Sequence, residues 1–439
     1  MIDTANLKLT YEGSVKNVYG SKNDPDTLLF SFTDQYSVFD WGKMPDLITN
    51  KGNALALIGA HIFEKLADPK FWQKLPQSAH LKKFDPSYLQ KRFVQPLFKE
   101  GDGVQQNGLP AHFLGLYKGT KQSNSWQDLE PIFKAKENKS PKDYSKDLDL
   151  ANSLLMHVLA AQVDWPKSKN ILHENIYFYP PVDSNYKRRL IPLEVVFRFG
   201  MVEGSSLKKK LQENPDYANS LGLKTVPRIN EWFPQPTLEF FTKLEAKDRL
   251  LSWQEAALLA NLSAQQFKQL VDLSLSTALA LHVLFAECNL ELWDGKLEFI
   301  YEQPTKGHAN KEGRLLLADS IGPDELRLLH NGIHLSKEML RQYYRSSAWA
   351  KSLITAQNIA NKNERTDQER TWQEICQQEL KQSPQLLAAD MKKLANELYS
   401  VLANEILGQK IFVDHPSLDE FTAQVEKTLS RYSKEPINA

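Results

Sequence analysis

The sequence predicts an α+β protein in which a β-rich N-terminal lobe meets a larger mixed α/β lobe and a helical C-terminal part. Three observations support this class. Residues 7–34 contain short apolar runs separated by turn residues, as in a β-meander. Residues 290–319 contain two apolar runs joined by a polar loop, as in a β-hairpin. Beyond residue 335 the apolar residues recur at helical spacing.

The first elements follow from periodicity and turn residues. Leu7–Tyr11, Val15–Tyr19 and Leu28–Phe32 are predicted strands, and Lys51–Leu66 has the apolar spacing of a helix. The turn Gly13–Lys16 has backbone amides and a lysine that suit phosphate groups, but it also fits a plain hairpin turn.

The middle of the chain predicts an insertion followed by a strand. Residues 117–170 are polar and rich in lysine until an amphipathic helix predicted from residue 148 to residue 163. Ile191–Arg198 is a predicted β-branched strand whose last arginine precedes a Gly-Ser-Ser turn at residues 204–206. This arginine and turn indicate either a phosphate pocket or a solvent-facing side chain beside a loop.

Helices dominate the later segments. Capping boxes at Ser252–Glu255 and Ser263–Gln266 mark two helix starts, and the second helix is predicted to reach about Cys288. His282 lies on this apolar helix and is interpreted as a core residue. One buried face is predicted for a C-terminal helix from Leu394, Leu398, Leu402 and Ile406.

The segment Trp293–Phe299 carries the strongest functional signal. Alternation along a strand places Asp294, Lys296 and Glu298 on one side, among apolar neighbours. Charged side chains are rarely buried without partners, so this row indicates a polar ligand or a metal. A solvated edge strand is the alternative.

A second apolar run, Arg314–Asp319, is predicted to pair with that strand and to bring Asp319 near Glu298. Two carboxylates beside a lysine offer oxygen ligands to Mg²⁺ and a counter-charge to a phosphate chain. The hairpin therefore predicts a Mg²⁺ site for a nucleotide. Arg327 follows the turn Gly322–Asp324 and offers a planar fork to a phosphate or carboxylate.

Composition bounds the class of protein. The 439 residues are 41% apolar and carry a formal net charge of zero, so no electrostatic footprint points to nucleic acid or an anionic membrane. Cys288 and Cys376 are expected to be reduced structural thiols, which makes redox or zinc chemistry a poor fit. The sequence has neither a leader pattern nor an apolar run of ~20 residues, and a cytoplasmic location is expected.

Eight segments, in this order, resemble the SAICAR synthetase family, the ligases of purine biosynthesis that join CAIR to aspartate at the expense of ATP. The segments are Tyr11–Tyr19, Thr33–Asp40 with Lys51-Gly52, Gly108–Phe113, Ile191–Arg198 with Gly204-Ser205, Thr242–Glu245 with Asp248, Asp294–Phe299, Asp319–Arg327, and Ser336–Glu338 with Arg341. The resemblance implies an active site in the cleft between two lobes, broadly as in ATP-grasp and kinase architectures.

The same resemblance implies four regions. Residues 1–116 would form the ATP-binding lobe, and residues 117–190 an insertion with a helix that joins the lobes. Residues 191–345 would hold the substrate and metal site, and residues 346–439 would pack on them as helices.

The resemblance also assigns roles to single positions. ATP is expected at Gly13, Ser14, Lys16, Val18, Lys243, Glu245, Glu298 and Asp319, the last two of which would also hold Mg²⁺. CAIR and aspartate are expected at Arg198, Ser205, Asp294, Lys296, Arg327, Lys337, Arg341, Asp40 and Lys51. Lys296, Arg198 and Asp294 are expected to be catalytic, because acyl-phosphate chemistry needs positioning and charge neutralisation rather than a side-chain nucleophile.

Four positions depart from the family pattern. Ser14 replaces a usual Lys, Ser320 a Glu, Val38 an Ala and Lys247 a His. Two of these changes fall on the nucleotide side, so substrate binding is expected to be retained and catalysis to be slowed or altered. A paralogous ATP-dependent amide ligase and a non-catalytic nucleotide- or CAIR-binding protein are the alternatives.

Overall fold

The computed structural model describes residues 6–95, 97, 103–122, 125–135, 153–172, 174–183, 185–304, 313–363 and 371–434. These residues form antiparallel sheets and packed helices, as the α+β prediction requires.

The N-terminal part is an antiparallel sheet that has six strands among the described residues, in the order β1-β2-β3-β6-β4-β5. The strands are β1 (Leu7–Glu12), β2 (Lys16–Ser21), β3 (Asp24–Phe32), β4 (Phe113–Gln122), β5 (Ser125–Lys134) and β6 (Ser153–Leu159). The predicted three-stranded meander is confirmed as β1 to β3.

The helix predicted from residue 148 to residue 163 is wrong in its described part, because β6 occupies the centre of this sheet. On one face of the sheet, Met156 packs against the helix that begins at Lys51. On the opposite face, Leu155 packs with Leu29 and Trp126. A strand that is buried on both faces has a nearly continuous apolar run, which periodicity cannot distinguish from a buried helix. Residues 148–152 lie outside the described part.

A second sheet is built around one long strand. Two strands that precede it, β7 (Lys167–Ile171) and β8 (Glu174–Phe178), form a separate ribbon. The strands of the second large sheet are, in chain order, β9 (Arg188–Leu190), β10 (Leu193–Met201), β11 (Glu231–Thr242), β12 (Leu250–Leu251), β13 (Glu291–Glu302), β14 (Arg314–Ala318), β15 (Leu326–His330) and β16 (Ile333–His334). Strand β13 pairs with β10 and β15 along its first half and with β9 and β14 along its second half. The predicted hairpin is confirmed as β13 and β14, with Glu298 opposite Ala318.

The helices cover both sheets. They are α1 (Lys51–Ala67), α2 (Pro69–Lys74), α3 (Pro86–Phe93), α4 (Val104–Asn107), α5 (Ser206–Glu213), α6 (Tyr217–Ser220), α7 (Trp253–Leu259), α8 (Ala264–Ala286), α9 (Lys337–Tyr344), α10 (Ala348–Asn363), α11 (Trp372–Gln378), α12 (Ala389–Leu407) and α13 (Leu418–Lys434), with short 3₁₀ turns at Leu75–Gln77 and Ala79–Lys83. Both predicted capping boxes are confirmed, at the starts of α7 and α8.

Helix α8 is the core helix of the second sheet. Its length and composition would suit a membrane-spanning helix, but 78% of its most apolar stretch of 18 residues is buried inside the fold. It packs against β10, β11 and β13, which accounts for its apolar composition. At the C-terminal end, Leu394, Leu398, Leu402 and Ile406 form the predicted buried face of α12, which packs against α1. Both cysteines are free thiols in the described part of the chain.

His282 makes the fold sensitive to acid. Its ring is 1% exposed and packs against Phe84, Phe199 and Trp232, as the core interpretation requires. Burial, together with the charge of Lys83, lowers the pKa of His282 from 6.5 to about 4. Between these two pH values the unfolded chain binds more protons than the folded chain, so the free energy of unfolding falls as the pH falls through this window.

Between pH 7 and pH 4 the free energy of unfolding of the wild type therefore decreases. We expect this decrease to be smaller in His282→Gln by roughly 2–3 kcal/mol. Urea unfolding at several pH values measures this slope. The exposed His80 offers the control, because His80→Gln keeps the backbone carbonyl that lies 3.3 Å from the His282 ring and removes an imidazole whose charge affects the pKa of His282 less than burial does. Equal slopes for His282→Gln and wild type would contradict the prediction.

Candidate active site

A cavity of about 700 Å³ lies between the two large sheets. One wall comes from the β1–β2 turn, from β2 and β3, and from the loop that contains Ser37 and Asp40. The other wall comes from β13, the end of β14, the following loop and the start of α9. Val18, Leu28 and Ile300 make one end apolar, whereas charged groups collect where the hairpin ends.

Two carboxylates lie at the hairpin end. Glu298 is opposite Ala318 in the β13–β14 ladder, so the next residue, Asp319, emerges beside it. Asp319 has a left-handed backbone with φ of 61°, which Asp tolerates better than most residues and which turns the chain out of the strand. The ladder register thus places Asp319 next to Glu298, as the sequence predicted.

Two lysines neutralise these carboxylates. Lys16 forms an ion pair with Asp319, and Lys243 forms one with Glu298 at 2.6 Å. Burial and the charge of Asp319 raise the pKa of Glu298 to about 7, although Lys243 opposes the shift. Burial would also raise the pKa of Asp319, but Lys16 and Lys243 outweigh it and hold that pKa well below its usual range.

These two carboxylates fit Mg²⁺ by donor type and charge. Burial and the nearby charge of Asp319 both disfavour the ionised form of Glu298, and a divalent cation between the two carboxylates would favour the ionised pair. Among the described residues, no group of three or more His, Cys, Asp or Glu side chains could hold a metal ion. The protein would therefore supply two ligands, and phosphate oxygens and water would supply the others.

Glu194 links the lysines of the site, and sequence reasoning missed it. The residue lies on β10, beside β13, and its carboxylate is 3.1 Å from the ammonium of Lys243 and 2.7 Å from that of Lys296. Although burial would raise the pKa of Glu194, the charges of Lys296 and Lys243 lower it. A carboxylate within a β-branched strand was the available signal, but its partners come from other strands.

A second ionic network joins β10, β13 and β15. Arg198 donates to Asp294 at 3.2 Å and to Ser205 at 3.1 Å, and it forms an ion pair with Glu239. Arg327 donates from Nε to both carboxylate oxygens of Asp294 at 3.2 Å. These four predicted substrate ligands therefore contact one another. They are not part of the cavity wall that the described residues form.

The SAICAR synthetase family model matches residues 9–92 and 183–357, which is more than half of the chain. The chain belongs to the SAICAR synthetase family. This membership confirms the resemblance seen in the motifs. The model leaves residues 93–182 unmatched, and these include β4 to β8.

Relatives of similar length carry the name of this family. A provisionally named phosphoribosylaminoimidazole-succinocarboxamide synthase of Archaeoglobus fulgidus is 27% identical and aligns over 95% of this chain and 99% of that protein. A phosphoribosylaminoimidazole-succinocarboxamide synthase of Thermoplasma volcanium is 24% identical over 92% of this chain and all of its own length (100%). The SAICAR synthase of Saccharomyces cerevisiae, solved with SAICAR, is 18% identical, with a TM-score of 0.47, 93% of this chain covered and 97% of that chain.

The turn that was predicted to bind phosphate lies at the cavity. Gly13, Ser14, Lys16 and Val18 all line it. Gly13 donates its backbone N–H to the carbonyl of Lys16 at 2.9 Å, and a side-chain Cβ at this position would lie 2.7 Å from that carbonyl oxygen. The tight turn therefore requires glycine, whereas the hydroxyl of Ser14 carries no charge toward a phosphate.

Other predicted residues divide between the cavity wall and the surrounding fold. Lys296, Lys337, Arg341 and Asp40 line the cavity. Lys51 is fully buried behind the wall, where its ammonium lies 2.7 Å from the carboxylate of Asp324. This position gives Lys51 a structural partner, and its predicted contact with substrate stays a prediction.

Glu245 also lies apart from the cavity wall that the described residues form. Its carboxylate is 3.1 Å from Arg249 and accepts a hydrogen bond from Tyr179 at 3.3 Å. Its predicted contact with ATP stays a prediction.

Proposed function

We propose that this protein joins CAIR and L-aspartate through an acyl phosphate and produces SAICAR, ADP and phosphate. The observation that carries the proposal is the group formed by Lys16, Lys243, Lys296, Glu298 and Asp319 at the wall of one cavity, in a chain that belongs to the SAICAR synthetase family. The full-length relatives named for this activity support it.

In the proposed complex, ATP lies with its base at the apolar end and its phosphates over the Gly13–Lys16 turn. Glu298 and Asp319 would hold Mg²⁺, which supplies charge neutralisation and orientation to the phosphates when it is bound. Lys16 and Lys243 stand beside these carboxylates and add positive charge where the phosphoryl group is transferred.

Two displacements then complete the reaction. A carboxylate oxygen of CAIR attacks the γ-phosphorus of ATP, and the bond to the bridging oxygen breaks as ADP leaves. The amine of aspartate attacks the carbonyl carbon of the acyl phosphate, and inorganic phosphate leaves with the bonding pair. Lys296, held by Glu194, contributes positive charge for the CAIR carboxylate. CAIR contacts by Arg198, Ser205, Asp294 and Arg327 belong to the proposal.

The larger arrangement is proposed in the same way. The N-terminal sheet would act as the nucleotide lobe and the second sheet as the substrate lobe, with the cavity as the cleft of an ATP-grasp- or kinase-like enzyme. The division at residues 116, 190 and 345 and the cytoplasmic location stay predictions.

An omission experiment tests the function. Purified protein is supplied with ATP, Mg²⁺, CAIR and aspartate, and ADP and SAICAR are measured with each component left out in turn. We expect turnover only with the complete mixture. ADP release with another carboxylate or amine in place of CAIR or aspartate would favour a paralogous ligase. Binding of ATP or CAIR that raises the melting temperature without any turnover would favour a non-catalytic protein.

A further inference from the structure

The cavity has a charged end that the proposed phosphoryl transfer does not use. Glu325, Lys337 and Arg341 line this end, beside Lys296. Glu325 lies immediately before β15, and Lys337 and Arg341 lie one turn apart on α9. Two cations and one anion therefore face the same space from two elements.

Apart from the exposed Asp40, Glu325 differs from the other acidic residues that line the cavity. Glu298, Asp319 and Asp324 each form an ion pair with a lysine. Within the described part of the chain Glu325 forms no ion pair, and its carboxylate accepts a single hydrogen bond, from the hydroxyl of Ser320 at 3.1 Å. A carboxylate that is partly buried without a cation favours a ligand that brings positive charge.

The backbone holds this carboxylate in place. The carbonyl of Glu325 accepts a hydrogen bond from the backbone N–H of Lys296 at 3.2 Å, and its own N–H donates to the carbonyl of Gly322 at 3.1 Å. Glu325 is thereby attached to the middle of β13, where Lys296 and Glu298 point into the cavity. The hydroxyl of Ser320 then orients the side chain of Glu325. Ser320 itself stands where the family pattern usually has Glu.

Lys337 and Arg341 complement Glu325. Lys337 forms no ion pair with any described residue, and burial lowers its pKa. Arg341 is 3.3 Å from Glu338, but 29% of its side chain remains exposed. L-Aspartate carries two carboxylates and one ammonium group, which is the charge pattern of these three side chains with the signs reversed.

We propose that Glu325 binds the ammonium group of the amine substrate and accepts a proton from it, while Lys337 and Arg341 receive the carboxylates of that substrate. This assignment rests on the proposed function. Burial and the charges of Asp324 and Asp319 raise the pKa of Glu325 to about 7, although Lys296 and Lys337 oppose the shift. Its place at the cavity wall without a cation and this direction of shift both suit a proton acceptor.

The step balances as follows. One N–H proton of the ammonium group passes to a carboxylate oxygen of Glu325, and the freed lone pair attacks the carbonyl carbon of the acyl phosphate. The C–N bond forms, the bond between the carbonyl carbon and the oxygen attached to phosphorus breaks, and phosphate leaves with the bonding pair. The second amine proton passes to the leaving phosphate, which gives the amide, hydrogen phosphate and protonated Glu325.

The experiment compares two nucleophiles in the presence of ATP, Mg²⁺ and CAIR. Aspartate must bind as an ammonium ion and lose its proton, whereas hydroxylamine is largely uncharged at neutral pH and traps an acyl phosphate directly. We expect Glu325→Gln to lower aspartate-dependent ADP release by about 10²–10⁴-fold and to keep hydroxylamine-dependent release within about 2-fold of wild type. The exposed Glu287 provides the matched control, Glu287→Gln, which is expected to leave both rates unchanged.

Ser320→Ala gives a second, milder test because it keeps the carboxylate and removes the hydrogen bond that orients it. We expect a loss of about 3–10-fold that is confined to the aspartate reaction. Equal losses with both nucleophiles in either variant, or full aspartate activity in Glu325→Gln, would overturn the assignment. Wild-type protein that releases no CAIR-dependent ADP with either nucleophile would overturn the proposed function itself.

Discussion

Asp319→Asn is expected to lower kcat for CAIR- and aspartate-dependent ADP release by on the order of 10³-fold. The substitution keeps the size of the side chain but removes its charge. It would therefore weaken the Mg²⁺ site shared with Glu298 and leave Lys16 without its ion-pair partner. Steady-state rates over a range of Mg²⁺ concentrations measure the effect, and binding of ADP with and without Mg²⁺ gives a readout that does not require turnover.

The exposed Asp216 supplies the matched control, since Asp216→Asn makes the same chemical change away from the cavity. Glu298→Lys tests the other half of the pair by reversing its charge, and we expect it to abolish turnover. Either variant with rates within about 3-fold of wild type would show that these carboxylates do not hold the metal.

Lys51→Met is expected to lower the free energy of unfolding by about 3–5 kcal/mol, because it leaves a buried carboxylate without its cation. Lys51 is fully buried, and its ammonium lies 2.7 Å from Asp324, which also accepts a hydrogen bond from Tyr399 at 2.6 Å. The contact joins α1, the β14–β15 loop and α12. Urea unfolding, followed by fluorescence and circular dichroism, measures the change.

Lys65→Met is the control, because Lys65 is exposed on the same helix as Lys51. We expect the double variant Lys51→Met/Asp324→Asn to be more stable than Lys51→Met alone, since the position of the ion pair then holds no unpaired carboxylate. Equal destabilisation by Lys51→Met and Lys65→Met would assign Lys51 no structural role, and its predicted contact with substrate would regain priority.

The local sequence pattern was sufficient to predict the part of the candidate site that segments adjacent in the sequence form. The alternation of Asp294, Lys296 and Glu298 along one strand, and the second apolar run that ends at Asp319, predicted both the hairpin and the pair of carboxylates. Strand period and hairpin pairing act over a few residues, so the sequence carries them directly. Capping boxes at Ser252 and Ser263 succeeded for the same reason.

Pattern failed where long-range contacts decide the state of a segment. Residues 153–159 have the apolar content of a helix, but they form the central strand of a sheet because β3 and β4 flank them and apolar groups cover both faces. Nothing within the segment records those neighbours. Periodicity is uninformative when every position is buried.

The sequence by itself determined the family, the α+β class, the β13–β14 hairpin and the two carboxylates that end it, because motifs and strand alternation are local properties. Only the tertiary structure decided which charges meet. Glu194 reaches Lys243 and Lys296 because β10 lies beside β13. Within the described part of the chain Glu325 forms no ion pair, and the neighbouring Lys296 is paired with Glu194 instead. Ion pairing depends on distance in space, which a linear sequence does not record.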